Sequence, residues 1–129
     1  MITYKSMGTK KVFRIKKNDD FSRIFSKHCS FANRFLIIYV DRQPKLVSGK
    51  LNHWRLGLSV SKRIGKAHER VWVKRRIRES LNNLSLYIPH NLDIVIIART
   101  NIGDKNQYFI QKQLIHVLKL AGIFDEKKI

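Results

Sequence analysis

Acidic residues, cysteine and proline are scarce in this sequence, and it contains no long hydrophobic run. Nine Asp and Glu residues stand against 27 Lys and Arg residues, so the formal net charge is +18 over 129 residues. No apolar stretch reaches the roughly 18 residues of a membrane-spanning helix, and the first residues lack the apolar segment of a secretory signal. Cys29 has no second cysteine with which to form a disulfide. We therefore expect a cytoplasmic location and a buried Cys29.

Residue patterns that indicate a protein-borne active site are also missing. The five histidines are scattered, and no two have the spacing of a helical zinc site. The phosphate-binding loop pattern is absent, because Gly65-Lys66 lacks both the preceding glycine and the following hydroxyl residue. Asp19 and Asp20 are better explained as residues at a helix start than as a metal-binding pair. The sequence predicts neither a catalytic residue nor a metal site on this chain.

The composition predicts one folded domain with an anionic partner. A hydrophobic fraction of 43% is sufficient for a packed core. We expect a single domain over residues 1–129, with a flexible basic arm at about 1–12 and a folded core at about 13–124. A strongly positive domain repels itself, and nucleic acid or an anionic membrane would offset that charge.

Hydrophobic periodicity predicts a mixed order of elements. A short helix is expected after an N-cap at Asn18, with Phe21, Ile24 and Phe25 on one face. Further strands are expected at 35–40, 54–60 and 92–98, with a small extra strand near 46–52. Two more helices are expected, one from 66 to about 84 and a last one capped by Asp104. The fold class is therefore α+β, with helices packed on a mixed sheet.

Residues 62–78 carry the strongest local signal in the chain. Eight of these seventeen residues are basic and only Glu69 is acidic. On a helix, residues four apart share a ridge, and this ridge contains Lys66, Arg70, Lys74 and Arg78. Phosphate binding is the favoured interpretation, and a solvated charged face is the alternative.

Three aromatic residues suggest a platform for single-stranded nucleic acid. Phe21 and Phe25 share a helix face, and Tyr39 lies near the end of a strand. Beside a basic groove, such rings can stack on unpaired bases. The alternative is that all three belong to the hydrophobic core.

Five segments of the chain resemble the protein subunit of bacterial ribonuclease P. The signature region is RLGLSVSKRIGKAHER followed by KRRIRE, between Arg55 and Glu79. The other segments, in the right order, are RIKKNDDFSRIF, ANRFLIIYV, DIVIIAR and the final amphipathic helix. The resemblance covers roughly residues 11 to 124.

This resemblance implies a fold and a function. The implied fold is a two-layer sandwich of order α-β-β-β-α-β-α, with a left-handed β-α-β crossover that contains the basic helix. The implied holoenzyme is an endoribonuclease that removes the 5′ leader from precursor tRNA, with catalysis on the RNA subunit and Mg²⁺ held mainly by that RNA. The implied partners are the catalytic RNA and precursor tRNA, with no obligate protein partner and no membrane.

The resemblance also assigns residues by position. Those of the leader-binding cleft are Phe21, Phe25 and Tyr39, with Lys62 and Lys74 on its rim. Those that face the catalytic RNA are Lys66, Arg70, Arg75 and Arg78. The chain departs from the family pattern at Val71 and Trp72, where the family has Asn and a basic residue. We expect these two residues to lower the affinity for the catalytic RNA, and stacking of Trp72 on an RNA base is the alternative.

Two other hypotheses remain open at the level of sequence. One is a basic structural RNA-binding protein of ribosomal type, without a role in cleavage. The other is a nuclease in its own right. Cleavage of precursor tRNA by the chain alone, by the catalytic RNA alone and by both together separates the three hypotheses.

Overall fold

A computed structural model describes residues 13–128 of the chain, with the side chains of residues 13–127. The proposed N-terminal arm at 1–12 lies outside the described residues. Within them the chain forms four helices and four strands: α1 Asn18–Ser26, β1 Ser30–Ala32, β2 Leu36–Arg42, α2 Lys45–Leu51, β3 Arg55–Ser59, α3 Ala67–Asn83, β4 Leu92–Ala98 and α4 Gln107–Leu120. Mixed α+β architecture is therefore confirmed.

The four strands form one mixed sheet in the order β1-β2-β4-β3. The β1–β2 and β2–β4 pairs are antiparallel, whereas β3 and β4 are parallel. A parallel pair needs a crossover connection, and α3 provides it. The left hand of this crossover stays a prediction of the resemblance.

One face of the sheet carries the main core, and we call it the α3/α4 face. Alternate residues of the strands, such as Ile38, Leu56 and Ile94, point to this face and are buried. Helix α3 contributes Val73, Ile77 and Leu81, and α4 contributes Ile110, Leu114, Val117 and Leu118. The helical periodicity of both segments is thus confirmed.

The opposite face of the sheet, which we call the α1 face, is covered only in part. Ile24 of α1 packs there against Val95, together with Ile15. Phe21 and Tyr39 are half-buried beside this small cluster. Since α1 has only nine residues, it covers one end of the sheet and leaves the other end accessible.

The expectation of a strand at 46–52 is wrong, because residues 45–51 form α2. Strands β2 and β3 are not neighbours, since β4 lies between them. The outer edge of β2 is taken by β1, and Arg14 bridges to Leu56 on β3. A strand at 46–52 has no partner in this arrangement, and the third strand before α3 is instead β1.

Three local expectations also require correction. Asn18 is the first residue of α1 and Lys17 is the N-cap, without a side-chain bond. The cap of α4 is Asn106, whose side chain accepts a hydrogen bond from the Phe109 N–H at 2.9 Å, so Asp104 is not the cap. Cys29 is exposed, because it lies in the short connection between α1 and the edge strand β1.

Candidate nucleic-acid interface

Strand register arranges the α1 face in three rows of side chains. The first row is Asp41, Asp93 and Arg55, and the second is Tyr39, Val95 and Gly57. The third row is Ile37, Ile97 and Ser59. Each row crosses β2, β4 and β3 in that order, so the face changes from ionic to aromatic to open along the strands.

The first row is a buried ion cluster that holds α1 on the sheet. Asp93 is fully buried and receives two hydrogen bonds from Arg55, at 2.8 and 2.7 Å. Arg23 of α1 donates to Asp93 at 2.5 Å and to Asp41 at 2.5 Å. Asp20 lies 3.3 Å from Arg23 and 3.5 Å from Arg55. We call these five residues the Asp93 cluster.

The pKa values of both arginines are raised, so this cluster favours their charged forms. Hydrogen bonds to Asp93 raise the pKa of the Arg55 guanidinium above its ordinary value, against the opposing effect of desolvation. Desolvation is the largest effect on Arg23, but its bonds to Asp93, Asp41 and Asp20 outweigh it and raise its pKa as well. Removal of one partner of a buried pair costs about 3–5 kcal/mol, since an uncompensated charge remains.

Sequence reasoning missed the Asp93 cluster. One signal was present, because Asp93 is the only charged residue of the apolar strand LDIVIIA. A buried carboxylate requires a cationic partner. The identity of that partner depended on the strand order, which the sequence did not show.

The three predicted aromatic residues meet over the second row, where Phe21 and Phe25 of α1 lie beside Tyr39 of β2. The Phe21 and Phe25 rings have centroids 6.3 Å apart, and the Phe25 and Tyr39 rings meet edge to face at 4.8 Å. Phe25 is 36% exposed, whereas Phe21 and Tyr39 are half-buried. The rings thus form one aromatic surface at the boundary between the core and solvent.

Gly57 makes room for this aromatic surface. A Cβ atom built on Gly57 would lie 2.7 Å from Cε1 and 2.9 Å from Cζ of Phe21. Such distances are shorter than carbon–carbon contact, so the Phe21 ring lies directly over the β3 backbone. Glycine at this position in the second row lets α1 approach the sheet closely.

The third row forms the open part of the α1 face. Ile37 and Ile97 are half-buried and Ser59 is exposed. Helices α3 and α4 pack on the opposite face of the sheet, so neither of them covers this row. A partly apolar surface, bordered on one side by the aromatic surface, therefore lies at the end of the sheet that α1 leaves uncovered.

The predicted basic residues lie on and before α3. Arg70, Lys74 and Arg78 are half-buried and follow one flank of the helix, while Lys66 and Arg75 are exposed. Lys62 is exposed in the 3-10 turn that precedes α3. Since α3 packs on the α3/α4 face, these cations are not part of the aromatic surface itself.

Arg78, at one end of the Arg70/Lys74/Arg78 flank, lies near the β3 edge of the sheet. Desolvation, with repulsion from Arg14, lowers the pKa of the Arg78 guanidinium. Arg14 bridges to Leu56 of β3, the edge strand, so the Arg78 end of the flank lies beside that edge. The opposite flank faces α4, where Arg76 donates to the Lys105 carbonyl at 3.0 Å.

This flank holds positive charge that the described residues do not neutralise. Within residues 13–128, no ion pair joins a cation of α3 to a carboxylate. The Arg70 Nε atom is buried and has no hydrogen-bond partner in the same part of the chain. Crowded cations with unused donors favour the binding of phosphate groups.

Other kinds of site have less support. Among the described residues, no group of three His, Cys, Asp or Glu side chains could hold a metal ion. The carboxylates that do cluster are bonded to Arg23 and Arg55. None of the helices between residues 13 and 128 has the length and apolarity to cross a membrane.

Comparison with known proteins identifies the family of this chain. The family model described as Ribonuclease P matches residues 9–122. The ribonuclease P protein component of Oenococcus oeni is 65% identical over 122 residues, which is 95% of this chain and 98% of that protein. That of Leuconostoc citreum is 52% identical, over 88% of this chain and 94% of that protein.

A solved structure shows that the likeness extends to the fold. The ribonuclease P protein of Staphylococcus aureus superimposes with a TM-score of 0.74 at 43% identity, over 87% of this chain and 97% of that one. The sequence match and the superposition both cover nearly the whole chain, so they favour the first of the three functional hypotheses. The chain belongs to the ribonuclease P protein family.

Proposed function

We propose that this ribonuclease P protein component binds the single-stranded 5′ leader of precursor tRNA on the α1 face of its sheet. The observation that carries the proposal is the aromatic surface of Phe21, Phe25 and Tyr39 beside the open third row. Single-stranded nucleic acid binds by stacking of bases on aromatic rings in a positively charged groove, with little sequence preference. A processing component needs such tolerance, because leaders of different precursors differ in sequence.

Phosphates are bound by the cations around the β3 edge. Lys62 and Lys74 supply charge at the rim of the cleft, where a leader would leave the aromatic surface. Lys66, Arg70, Arg75 and Arg78 face the catalytic RNA. The division follows the family resemblance. The structural support is the unneutralised charge of the Arg70/Lys74/Arg78 flank, together with the closeness of Arg78 to Arg14, which bridges to the edge strand β3.

Cleavage takes place on the RNA subunit, with Mg²⁺ held mainly by that RNA. Three carboxylates of this chain converge, but Asp20, Asp41 and Asp93 are already bonded to two guanidinium groups. A divalent cation would have to displace Arg23 and Arg55, so this cluster does not fit Mg²⁺. The residues of the chain instead bind and orient the substrate strand, in the cytoplasm and without an obligate protein partner.

The dependence of substrate affinity on the leader tests this proposal. Phe25→Ala is the most informative change, because Phe25 is the most exposed of the three rings and its loss should disturb the core least. Loss of one stacking platform costs about 1–3 kcal/mol. We expect the holoenzyme with Phe25→Ala to bind leader-bearing precursor tRNA more weakly, and leaderless tRNA as the unaltered holoenzyme does.

A matched control is Tyr108→Ala, which removes an exposed ring from α4 on the opposite side of the sheet. This control should leave the leader dependence unchanged. Equal losses on both substrates with Phe25→Ala would place Phe25 outside the leader site. Cleavage by the chain without RNA would contradict the assignment of catalysis to the RNA subunit.

A further inference from the structure

Val71 and Trp72 project from α3 and have no part in the proposed cleft. Val71 is 61% exposed and Trp72 is 52% exposed, on a helix whose other exposed residues are mostly charged or polar. Because α3 packs on the α3/α4 face, Trp72 lies on the far side of the sheet from Phe21 and Phe25. A contact made by Trp72 is therefore separate from the contact with the leader.

Arg76 holds the Trp72 ring in place from one side. The Arg76 guanidinium carbon lies 5.0 Å from the centroid of the indole. The same guanidinium donates to the Lys105 carbonyl at 3.0 Å, in the segment before α4. Because Arg76 is fixed at its far end, the cation–π contact limits the freedom of the indole. A ring that is ordered before binding loses less entropy when a ligand stacks on it.

The charges around Trp72 indicate what kind of ligand would stack on its ring. Helix α3 carries five Lys and Arg residues against Glu69 and Glu79. Glu69 already accepts a hydrogen bond from the Lys66 N–H at 2.8 Å. Arg75 is exposed and follows Trp72 by three residues, so it shares the same side of the helix. A flat apolar ring beside an exposed guanidinium suits a base together with its phosphate.

We propose that Trp72, supported by Arg76, stacks on an unpaired base of the RNA subunit of ribonuclease P, and that Arg75 binds an adjoining phosphate. This inference rests on the proposed function, since it takes that RNA as the partner. It identifies a second stacking site on the opposite layer of the fold from the leader cleft. It also assigns a role in RNA binding to Trp72, whereas the departure from the family pattern led us to expect a lower affinity for the RNA.

Tryptophan fluorescence tests the proposal directly, because the chain has two tryptophans in different surroundings. Trp54 is fully buried and its indole N–H donates to the Ser85 hydroxyl at 3.0 Å. Trp54 therefore provides a constant background, and Trp72 provides the signal that responds to RNA. Titration of the full chain with the RNA subunit should quench this emission, and the same titration of Trp72→Phe should leave the emission unchanged.

Affinity measurements with the same RNA subunit complete the test. We expect Trp72→Ala to bind roughly tenfold more weakly, as loss of one stacking contact implies, and Trp72→Phe to retain most of the affinity. The double substitution Val71→Asn/Trp72→Arg should also weaken binding to the RNA subunit, because a cation does not replace the stacking of the indole ring on a base. Leu86→Ala, at another exposed apolar side chain, is the control and should have no effect.

Two results would overturn the proposal. One is unchanged Trp72 emission together with normal affinity of Trp72→Ala, which places this side of α3 outside the RNA interface. The other is tighter binding by the Val71→Asn/Trp72→Arg chain. In either case the leader dependence of Phe25→Ala would be unaffected, so the proposed function would stand. Failure of the unaltered chain to bind the RNA subunit would instead remove the proposed function itself.

Discussion

Replacement of Gly57 by alanine would introduce a methyl group where the Phe21 ring lies. The added Cβ atom would be 2.7 Å from Phe21 Cε1 and 3.4 Å from Val95 Cγ2. Phe21 has little freedom to move, because Arg23 ties the same helix to Asp93 at 2.5 Å. The ring must therefore tilt outward or α1 must shift, and both changes disturb the aromatic surface.

The expected loss of stability follows from two opposing effects. Overpacking of a filled site costs about 1–3 kcal/mol. Gly-to-Ala replacement at an ordinary backbone conformation recovers about 0.4–1 kcal/mol through the unfolded chain, and Gly57 has no positive φ. We expect a net loss of about 1–2 kcal/mol in the free energy of unfolding, measured by urea titration. The preference of the holoenzyme for leader-bearing precursor tRNA should fall as well.

A double-mutant cycle isolates the contact that causes these losses. In a Phe21→Ala chain the added methyl group meets no ring, so Gly57→Ala should cost much less in that background. The reasoning is refuted if Gly57→Ala is as stable as the unaltered chain with its leader preference intact. It is also refuted if the cost is the same in both backgrounds, since the methyl group would then clash with something other than Phe21.

Three further predictions concern charge. Asp93→Asn should lower the free energy of unfolding by about 3–5 kcal/mol, because two half-buried guanidinium groups lose their shared carboxylate; urea titration against the exposed control Asp104→Asn, which should cost almost nothing, measures the difference. Arg78→Ala should reduce the slope of log affinity against log salt for the RNA subunit by about one, since one phosphate contact is lost; an unchanged slope would place Arg78 away from phosphate. Sulfate should raise the melting temperature of the free chain more than chloride at equal ionic strength, because an anion that binds only the folded form stabilises it; identical midpoints would show that the α3 flank binds no anion.

The sequence alone was sufficient for the elements whose hydrophobic pattern is local. The buried stripe of α3, the apolar strand β4 and the stripe of α4 each follow from residues within one segment. The basic ridge was also visible, because residues four apart on a helix share a side whatever the rest of the fold does. Family membership was evident at this level too, since it depends on the order of short segments along the chain.

The small elements and the arrangement of the site depended on tertiary structure. Residues 45–51 form a helix because the strand order leaves no partner for a strand there. Strand β1 has only three residues, too few for a pattern of alternating burial, and it exists because β2 offers an open edge. In both cases the decisive information lies in another part of the chain.

The same distinction applies to the candidate site. The sequence predicted Phe21, Phe25 and Tyr39 as stacking residues, but only the packing of α1 on the sheet brings their rings into contact. The Asp93 cluster and the approach of Phe21 to Gly57 join segments that are far apart in sequence. Local periodicity reports which side of an element is apolar, whereas the pairing of strands across the sheet decides which side chains meet.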